Sequence, residues 1–194
     1  MKKRSLFFFM LMLSALSVLT QEPVLVKDIN PYFDSNSHDP EPGGVLWNGQ
    51  FFYSGWASSN GYEPWVTDGT EEGTFQLMDI AIGATWSDPV RFTAGNDAVY
   101  FVIQGEDGEE LWKTDGTQDG TKIVIDLLPD GDDNIGNLVF WNDLIYFASH
   151  STLTDEEAIW RTDGTAEGTE LFLDLDPDDG TGIGNHYIYN GDLI

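Results

Sequence analysis

Short apolar segments separated by turn residues make up the chain after residue 20, and no segment there keeps a helical period. The pattern is clearest between residues 90 and 127, where four apolar segments are joined by turns rich in Gly, Asn and Asp. Runs of β-branched and aromatic residues bounded by such turns are typical of strands joined as hairpins. The four predicted strands are Val90–Ala94, Ala98–Ile103, Glu110–Thr114 and Lys122–Leu127.

One motif occurs three times at nearly constant spacing. Trp65, Trp112 and Trp160 each begin the pattern Trp-x-Thr-Asp-Gly-Thr-x-x-Gly-Thr, at intervals of 47 and 48 residues. A period of about 48 residues lies in the range of propeller blades. The sequence therefore predicts an all-β fold of four-stranded antiparallel blades, a β-propeller. A β-sandwich is the competing architecture, but it does not explain so regular a repeat.

The period divides the chain after its leader into repeats at about 24–74, 75–121, 122–169 and a shorter 170–194. Each motif is followed by an apolar strand that ends in Asp plus Ile or Leu, and one such strand, Val24–Ile29, precedes the first motif. Propellers usually need at least four blades. We therefore expect residues 21–194 to form part of an incomplete propeller, in which the N-terminal strand completes a last blade beyond residue 194.

Residues 1–20 have the composition of a secretory signal peptide. A basic segment at residues 2–4 precedes an uncharged apolar run at residues 5–19, which is shorter than the roughly 20 residues that span a membrane. Cleavage is expected after Thr20, with Ser17 as the alternative, and an uncleaved anchor is the competing interpretation. The remaining chain is expected to be secreted or held at the cell surface, without membrane insertion.

The composition excludes several classes of partner and chemistry. The chain carries 34 Asp and Glu against 8 Lys and Arg, a formal net charge of −26, which disfavours binding to nucleic acid or to an anionic membrane. It contains no cysteine, which excludes disulfides, thiolate catalysis and cysteine-ligated metals. Because 41% of the residues are hydrophobic and 13% are aromatic, we expect a folded domain despite the charge.

The segment Glu110–Thr121 resembles the ELWxxDGTxxGT repeat of secreted bacterial proteins, especially those of the Bacteroidota. The resemblance covers residues 24–194 and includes Val26–Pro31, which is similar to the strand and loop that follow that repeat. It implies a large, surface-exposed or released propeller, often followed by a type IX sorting domain. Two copies depart from the motif: Pro64 replaces Leu, and Ala158 replaces Glu. The motif Glu is therefore not expected to be functional.

The other motif residues are expected to be structural. Asp before Gly in a strand-to-strand turn can accept backbone N–H bonds, and Gly adopts positive φ without strain. A Trp repeated once per blade is expected to pack between adjacent blades, where it can bond a neighbouring backbone through its indole N–H. These residues are Trp65, Asp68, Gly69, Thr70, Trp112, Asp115, Gly116, Thr117, Trp160, Asp163, Gly164 and Thr165.

Two acidic loops that follow predicted fourth strands form the candidate metal site. Clustered carboxylates suit Ca²⁺, which takes six to eight oxygen ligands. The second loop departs from EF-hand spacing, because its Gly comes one place late and Asn185 stands where the closing Glu belongs. Solvated loops without any cofactor are the alternative. The candidate ligands are Asp130, Asp132, Asp133, Asp174, Asp176 and Asp178.

No catalytic constellation stands out in the sequence. Propeller glycosidases of the sialidase kind bind a substrate carboxylate with several arginines, whereas only Arg91 and Arg161 follow the leader. His38, His150 and His186 show no metal-ligand spacing. There is no Gly-x-Ser-x-Gly elbow, P-loop or dinucleotide fingerprint. We therefore expect a protein that is not an enzyme.

Three functions remain as hypotheses. The leading one is a non-catalytic module for adhesion or recognition of a surface glycan or protein ligand. The second is an architectural acidic scaffold within a larger type IX-secreted protein, and the third is a secreted propeller glycoside hydrolase. Tryptophans outside the motif could stack on sugar rings, with core packing as the alternative for each: Trp47, Trp56, Trp86 and Trp141.

Overall fold

The computed structural model describes residues 43–83, 86–105, 108–129, 134–151, 154–174, 188–189 and 192–193. Across these residues the fold is all-β, with three four-stranded antiparallel sheets and no helix. A separate two-stranded hairpin follows the third sheet in the chain. The strands of every sheet lie side by side in chain order. The predicted all-β class is therefore confirmed, and each sheet is a simple meander.

The three sheets have closely similar strand lengths. Sheet 1 contains β1 (Val45–Trp47), β2 (Gln50–Ala57), β3 (Gly61–Thr67) and β4 (Phe75–Gln76). Sheet 2 contains β5 (Val90–Ala94), β6 (Val99–Gly105), β7 (Gly108–Thr114) and β8 (Lys122–Ile125). Sheet 3 contains β9 (Val139–Trp141), β10 (Leu144–Ser151), β11 (Thr154–Thr162) and β12 (Glu170–Leu173), and the final hairpin contains β13 (Ile188–Tyr189) and β14 (Asp192–Leu193).

The fourth strand of each sheet is shorter than the sequence pattern predicts. In sheet 1 the apolar segment was expected to continue to Ile80, but β4 ends at Gln76. The next amide, that of Leu77, donates to the Pro64 carbonyl at 2.9 Å. The amide of Ile80 instead donates to the Glu63 carboxylate at 3.0 Å. A side chain thus replaces the strand ladder as the partner of this backbone, and the chain leaves the sheet.

Sheet 2 is buried between the other two sheets. On one face, Phe101 packs in a cluster with Phe52 of sheet 1. On the opposite face, Val102 packs in a second cluster with Phe147 and Trp160 of sheet 3. Successive strand residues point to opposite faces of a sheet. Both faces of β6 are therefore buried, which explains its continuous apolar run.

The two ends of the strands carry different kinds of residue. The turns from first to second strand and from third to fourth strand lie at one end, because consecutive strands run in opposite directions. This end, the motif edge, contains all three Asp-Gly-Thr turns. The opposite end, the hairpin edge, contains the described parts of the turns from second to third strand and of the sheet-to-sheet connections 77–89 and 126–138.

Candidate functional site

Each Asp-Gly-Thr turn is held by a dense set of side-chain bonds. In sheet 2, Asp115 Oδ1 accepts hydrogen bonds from the Thr117 amide at 2.9 Å and the Thr117 hydroxyl at 2.6 Å. Thr117 Oγ1 accepts the Gly120 amide at 3.0 Å. Thr114 Oγ1 accepts the Gly116 amide, also at 3.0 Å. These bonds satisfy backbone donors that a tight turn leaves without a strand partner.

The other two turns repeat this arrangement. Asp68 and Asp163 accept the amides of Thr70 and Thr165, in each case at 2.9 Å. A pair of threonine hydroxyls closes every turn, across distances of 2.6 to 2.7 Å. The pairs are Thr67 with Thr74, Thr114 with Thr121, and Thr162 with Thr169.

Electrostatics and sterics explain the Asp and the second Gly of the motif. Hydrogen bonds from the Thr117 hydroxyl and then from its amide lower the pKa of Asp115. The pKa values of Asp68 and Asp163 are lowered by the equivalent bonds. The ionised carboxylate lies directly against the backbone of the second Gly, and a Cβ at Gly120 would overlap the Asp115 carboxylate. This Gly is therefore required for close approach.

The first Gly of the motif lies against the preceding sheet. Gly116 has a φ of 92°, and a Cβ there would be 3.1 Å from Gln50 Oε1 and 3.5 Å from Phe52 Cζ of sheet 1. A Cβ at Gly164 would overlap the Tyr100 hydroxyl of sheet 2. Gly69, in sheet 1, has nothing within 4 Å. The turn of one sheet thus packs on the second strand of the sheet before it.

The motif tryptophans differ in their hydrogen bonding. Trp65 and Trp160 are buried, with exposures of 7% and 3%, and both indole nitrogens are buried without a hydrogen-bond partner. Trp112 donates its indole N–H to Glu110 Oε2 at 2.7 Å. None of the three indoles bonds a neighbouring backbone, because a carboxylate bonds one indole and the other two nitrogens are enclosed without an acceptor.

A fully buried carboxylate lies near the hairpin edge of sheet 1. Glu63 has no solvent exposure. It accepts the amides of Ile80 and Ala81 at 3.0 and 3.3 Å, and the Ser87 hydroxyl at 2.8 Å. Burial raises the pKa of Glu63 to about 7, the three hydrogen bonds oppose that rise, and the nearby Asp79 carboxylate adds to it. Sequence reasoning missed this residue, since its motif position holds Ala in the third repeat.

Glu63 bonds two segments of the first connection, residues 80–83 and residues 86–87, which together we call the clasp loop. Its second arm is also fixed by the backbone, because the Ser87 amide donates to the Tyr62 carbonyl at 3.1 Å. The Ser87 carbonyl in turn accepts the Gln104 amide of sheet 2 at 3.0 Å. From this anchored backbone, Ile82 and Trp86 extend into solvent, with exposures of 87% and 52%.

The second connection between sheets is built differently. Leu127, Ile135 and Leu138 are buried in the cluster between sheets 2 and 3. The Gly136 amide donates to the Ala148 carbonyl at 2.8 Å. A signal for this buried segment was present in the sequence, because Ile-Gly-Asn at residues 135–137 recurs 48 residues later at 183–185.

Both arginines considered for catalysis form ion pairs with glutamates of the adjacent or nearby strand. Arg91 Nη1 lies 3.2 Å from Glu109 Oε1, and Arg91 has a φ of 56° beside an irregularity in β5. Arg161 pairs with Glu170 and stacks over the Phe172 ring at 5.1 Å. Each guanidinium group therefore pairs with a carboxylate of its own sheet.

Several other predicted site residues can be placed. Of the four non-motif tryptophans, only Trp86 is exposed, while the rest are partly buried and Trp47 donates to the Gly95 carbonyl at 3.0 Å. Asp174 is exposed just after β12, and His150 lies in β10. The signal peptide, Val24–Ile29, His38, Asp130, Asp132, Asp133, Asp176, Asp178 and His186 lie outside the described residues.

Within the described ranges, no three His, Asp or Glu side chains are grouped to hold a metal ion. The same part of the chain contains no helix long and apolar enough to cross a membrane. Comparison of the chain with protein-family models and with curated proteins found no match. The site is therefore defined by the chain's own contacts: a repeated turn at the motif edge and a single clasp loop at the hairpin edge.

Proposed function

We propose that this protein is an exported β-propeller of the ELWxxDGT type and serves as a non-catalytic recognition module. The observation that carries the proposal is the separation of its two edges. The repeated residues at the motif edge are engaged in turn bonds and in contacts between sheets. The connections at the hairpin edge differ in sequence between repeats, since the first carries Trp86 and the second has no tryptophan. Specificity for a glycan or protein ligand is assigned to that edge, since the repeated motif residues do not occupy it.

The packing of the sheets supports a radial arrangement. β1 lies against β5, and β5 lies against β9. Neighbouring sheets thus come into close contact along their first strands, as blades do beside a propeller axis. The indole of Trp47 also bonds the Gly95 carbonyl across sheets 1 and 2. These contacts favour the propeller over the sandwich as the complete architecture.

The outward face of sheet 3 exposes an aromatic residue at a position that is buried in the other two sheets. Phe172 is 40% exposed. The residues at the same position, one place after the partner of the motif Trp, are Leu77 in sheet 1 and Val124 in sheet 2, and their exposures are 1% and 4%. Because a following sheet buries this position twice, we propose that a fourth sheet buries it in the whole protein.

The final hairpin supports the same proposal. β13 and β14 pair Tyr189 with Asp192 across residues 190–191, just as β1 and β2 pair Trp47 with Gln50 across the Asn48-Gly49 turn. The sequence at residues 190–191 is also Asn-Gly. The described hairpin therefore has the register of the first two strands of a fourth sheet.

The outward face of sheet 1 shows the complementary feature. Phe51 is 42% exposed, whereas Val99 and Ile145, which have the same register in sheets 2 and 3, have exposures of 0% and 1%. A preceding sheet buries that position in the second and third repeats. We propose that the last blade of the propeller covers Phe51.

The function is tested by adding the native secreted protein to a glycan array and to candidate surface proteins, and by assaying sugar release from the same polysaccharides. We expect binding of at least one ligand without product formation. Release of reducing ends would favour the hydrolase alternative instead. Absence of binding to every glycan and protein would contradict recognition and leave the scaffold alternative.

A further inference from the structure

We propose that the clasp loop is a saccharide-binding element, in which the exposed Trp86 indole is the platform for a neutral sugar ring and Glu63 is the positioning residue. This inference rests on the proposed recognition function and narrows it to one ligand class and one place on the hairpin edge. It is carried by the exposure of Trp86, the hydrogen bonds that attach the loop to Glu63 and the absence of this arrangement from the described part of the second connection.

Trp86 presents a large apolar surface to water. Its side chain is 52% exposed, and its ring makes an edge contact with the buried Tyr62 ring at a centroid distance of 6.4 Å. Tyr62 therefore supports one side of the indole while much of the ring surface stays open. Exposed tryptophans are enriched in binding surfaces, because they bury a large area against a ligand at little conformational cost.

The platform is held in place before any ligand arrives. Glu63 bonds both arms of the loop, at Ile80 and Ala81 on one side and at Ser87 on the other. Ser87 is bonded on its carbonyl side to sheet 2 as well, through the Gln104 amide. Ordering a loop on binding weakens affinity, and a loop ordered during folding avoids that loss.

The fold does not require this arrangement. The equivalent carboxylate in sheet 2, Glu110, bonds the Trp112 indole instead of a loop, and sheet 3 has Ala158 at the same position. The second connection also turns its apolar residues inward, as shown by the full burial of Ile135. Among the described residues, the exposed Trp on a pinned loop thus occurs only in the first connection.

The charge around the loop selects the ligand class. Asp79 and Asp88 flank the clasp loop, and the chain has a net charge of −26. This field repels sulfated or uronic acid ligands. A neutral sugar instead offers an apolar C–H face to the indole and carries no charge that this field would repel.

The test compares the secreted full chain with its Trp86→Ala variant on an array of neutral, sulfated and uronic oligosaccharides. We expect the unmodified chain to bind neutral members of the array. The affinity of the variant should be lower by at least about tenfold, which is the loss typical of truncating a residue at the centre of an interface. Ile123→Ala is the matched control, because Ile123 is 43% exposed on sheet 2. The affinity of this variant for the saccharide should equal that of the unmodified chain.

Two results would overturn the inference. If the Trp86→Ala variant binds with the affinity of the unmodified chain, the ligand contacts another part of the protein and the proposed recognition function still stands. No neutral saccharide bound by the unmodified chain would reject the saccharide element, and retained binding of a surface protein would then show that recognition itself survives.

The role of Glu63 is tested with a conservative and a non-conservative variant. Glu63→Ala removes the anchor, so we expect faster hydrogen exchange at the Ile80 and Ala81 amides together with weaker saccharide binding. Glu63→Gln keeps one acceptor oxygen, which can serve Ile80 and Ser87, but its amide nitrogen cannot accept from Ala81. This variant should therefore restore slow exchange at Ile80 and the affinity, but not slow exchange at Ala81. If Glu63→Ala loosens these amides without weakening binding, Glu63 does not position the platform.

Discussion

Two kinds of carboxylate show how single residues adapt to their surroundings in this chain. The motif aspartates are exposed, and hydrogen bonds from a neighbouring threonine hydroxyl lower their pKa values. Glu63 is enclosed, and burial raises its pKa to about 7. The first kind stabilises a local turn in its ionised form, whereas the second kind is favoured in its neutral form.

The turn network predicts a measurable cost for Asp115→Ala. The change removes two hydrogen bonds to Thr117, so the free energy of unfolding should fall by about 1–2 kcal/mol, as measured by urea denaturation. Asp119→Ala is the control, because Asp119 is exposed in the same turn and its replacement should have little effect. Equal losses for the two variants would contradict a capping role for Asp115.

A double-mutant cycle tests why Gly120 is glycine. Gly120→Ala should destabilise the protein, because the new Cβ would overlap the Asp115 carboxylate. In the Asp115→Ala background this overlap is gone, so the same change should cost less. We expect the double variant to be more stable than the sum of the single effects predicts. Strict additivity, measured by urea denaturation, would show that the two residues do not interact.

The pH dependence of stability should report on Glu63. Its folded pKa, about 7, exceeds the ordinary value of about 4.3. Folding therefore favours the neutral form of Glu63. The contribution of this form to the free energy of unfolding is complete below about pH 4 and is lost as the pH rises through 7. Glu63→Gln cannot ionise, so its stability relative to the unmodified chain should rise between about pH 5 and 8, by up to about 3 kcal/mol. A constant difference across this range, measured by urea denaturation, would contradict a buried neutral Glu63.

The motif aspartates were more predictable from sequence than Glu63. Asp-Gly-Thr recurs at a fixed spacing, and Asp before Gly has few structural roles in a strand-to-strand turn. Glu63 depends on a loop that comes 17 to 24 residues later in the chain. Its motif equivalents, Glu110 and Ala158, have different neighbours, so comparison between repeats conceals its role instead of revealing it.

At the scale of elements, each motif turn is both the end of one sheet and a contact with the previous sheet. Gly116 and Gly164 face second-strand side chains of sheets 1 and 2, whereas Gly69 has no such neighbour within 4 Å. The three glycines have nearly equal φ values of 88°, 92° and 87°. Backbone strain and inter-sheet packing can therefore be separated experimentally.

Gly69→Ala and Gly164→Ala form a matched pair for this purpose. Both variants place a Cβ on a residue with positive φ, so backbone strain should lower the free energy of unfolding by about 1 kcal/mol in each. Gly164→Ala also drives a methyl group into the Tyr100 hydroxyl and should lose about 1–2 kcal/mol more. The test is to measure the free energy of unfolding of both variants and to compare the two losses. Equal losses would contradict close packing of sheet 3 on sheet 2.

The extent of the strands was only partly predictable. Val90–Ala94 was predicted with the limits that β5 has, since turn residues mark both its ends. The fourth strands were predicted too long, because apolar residues after Gln76 fill the space between sheets instead of extending the ladder. The difference depends on tertiary bonds such as that from the Ile80 amide to the Glu63 carboxylate, which leave no periodic signal in the sequence.

At the scale of the whole molecule, the dominant feature is charge. With 34 acidic and 8 basic residues, compaction brings like charges together and destabilises the fold. Salt screens this repulsion, so the thermal midpoint should rise between about 0.02 M and 0.5 M NaCl. Sodium sulfate stabilises proteins by other means, so NaCl is the salt to use. A midpoint that falls or stays constant would show that attractive ion pairs outweigh the repulsion.

The repeat and its packing lead to one central claim, that the sheets are blades arranged around an axis. Electron cryo-microscopy of the native protein tests this claim most directly. We expect end-on views of a closed ring of four-stranded blades around a central channel, with sheets on both outward faces, at Phe51 and at Phe172. Two sheets packed face to face as a sandwich, or an open row of sheets with both faces bare, would contradict it.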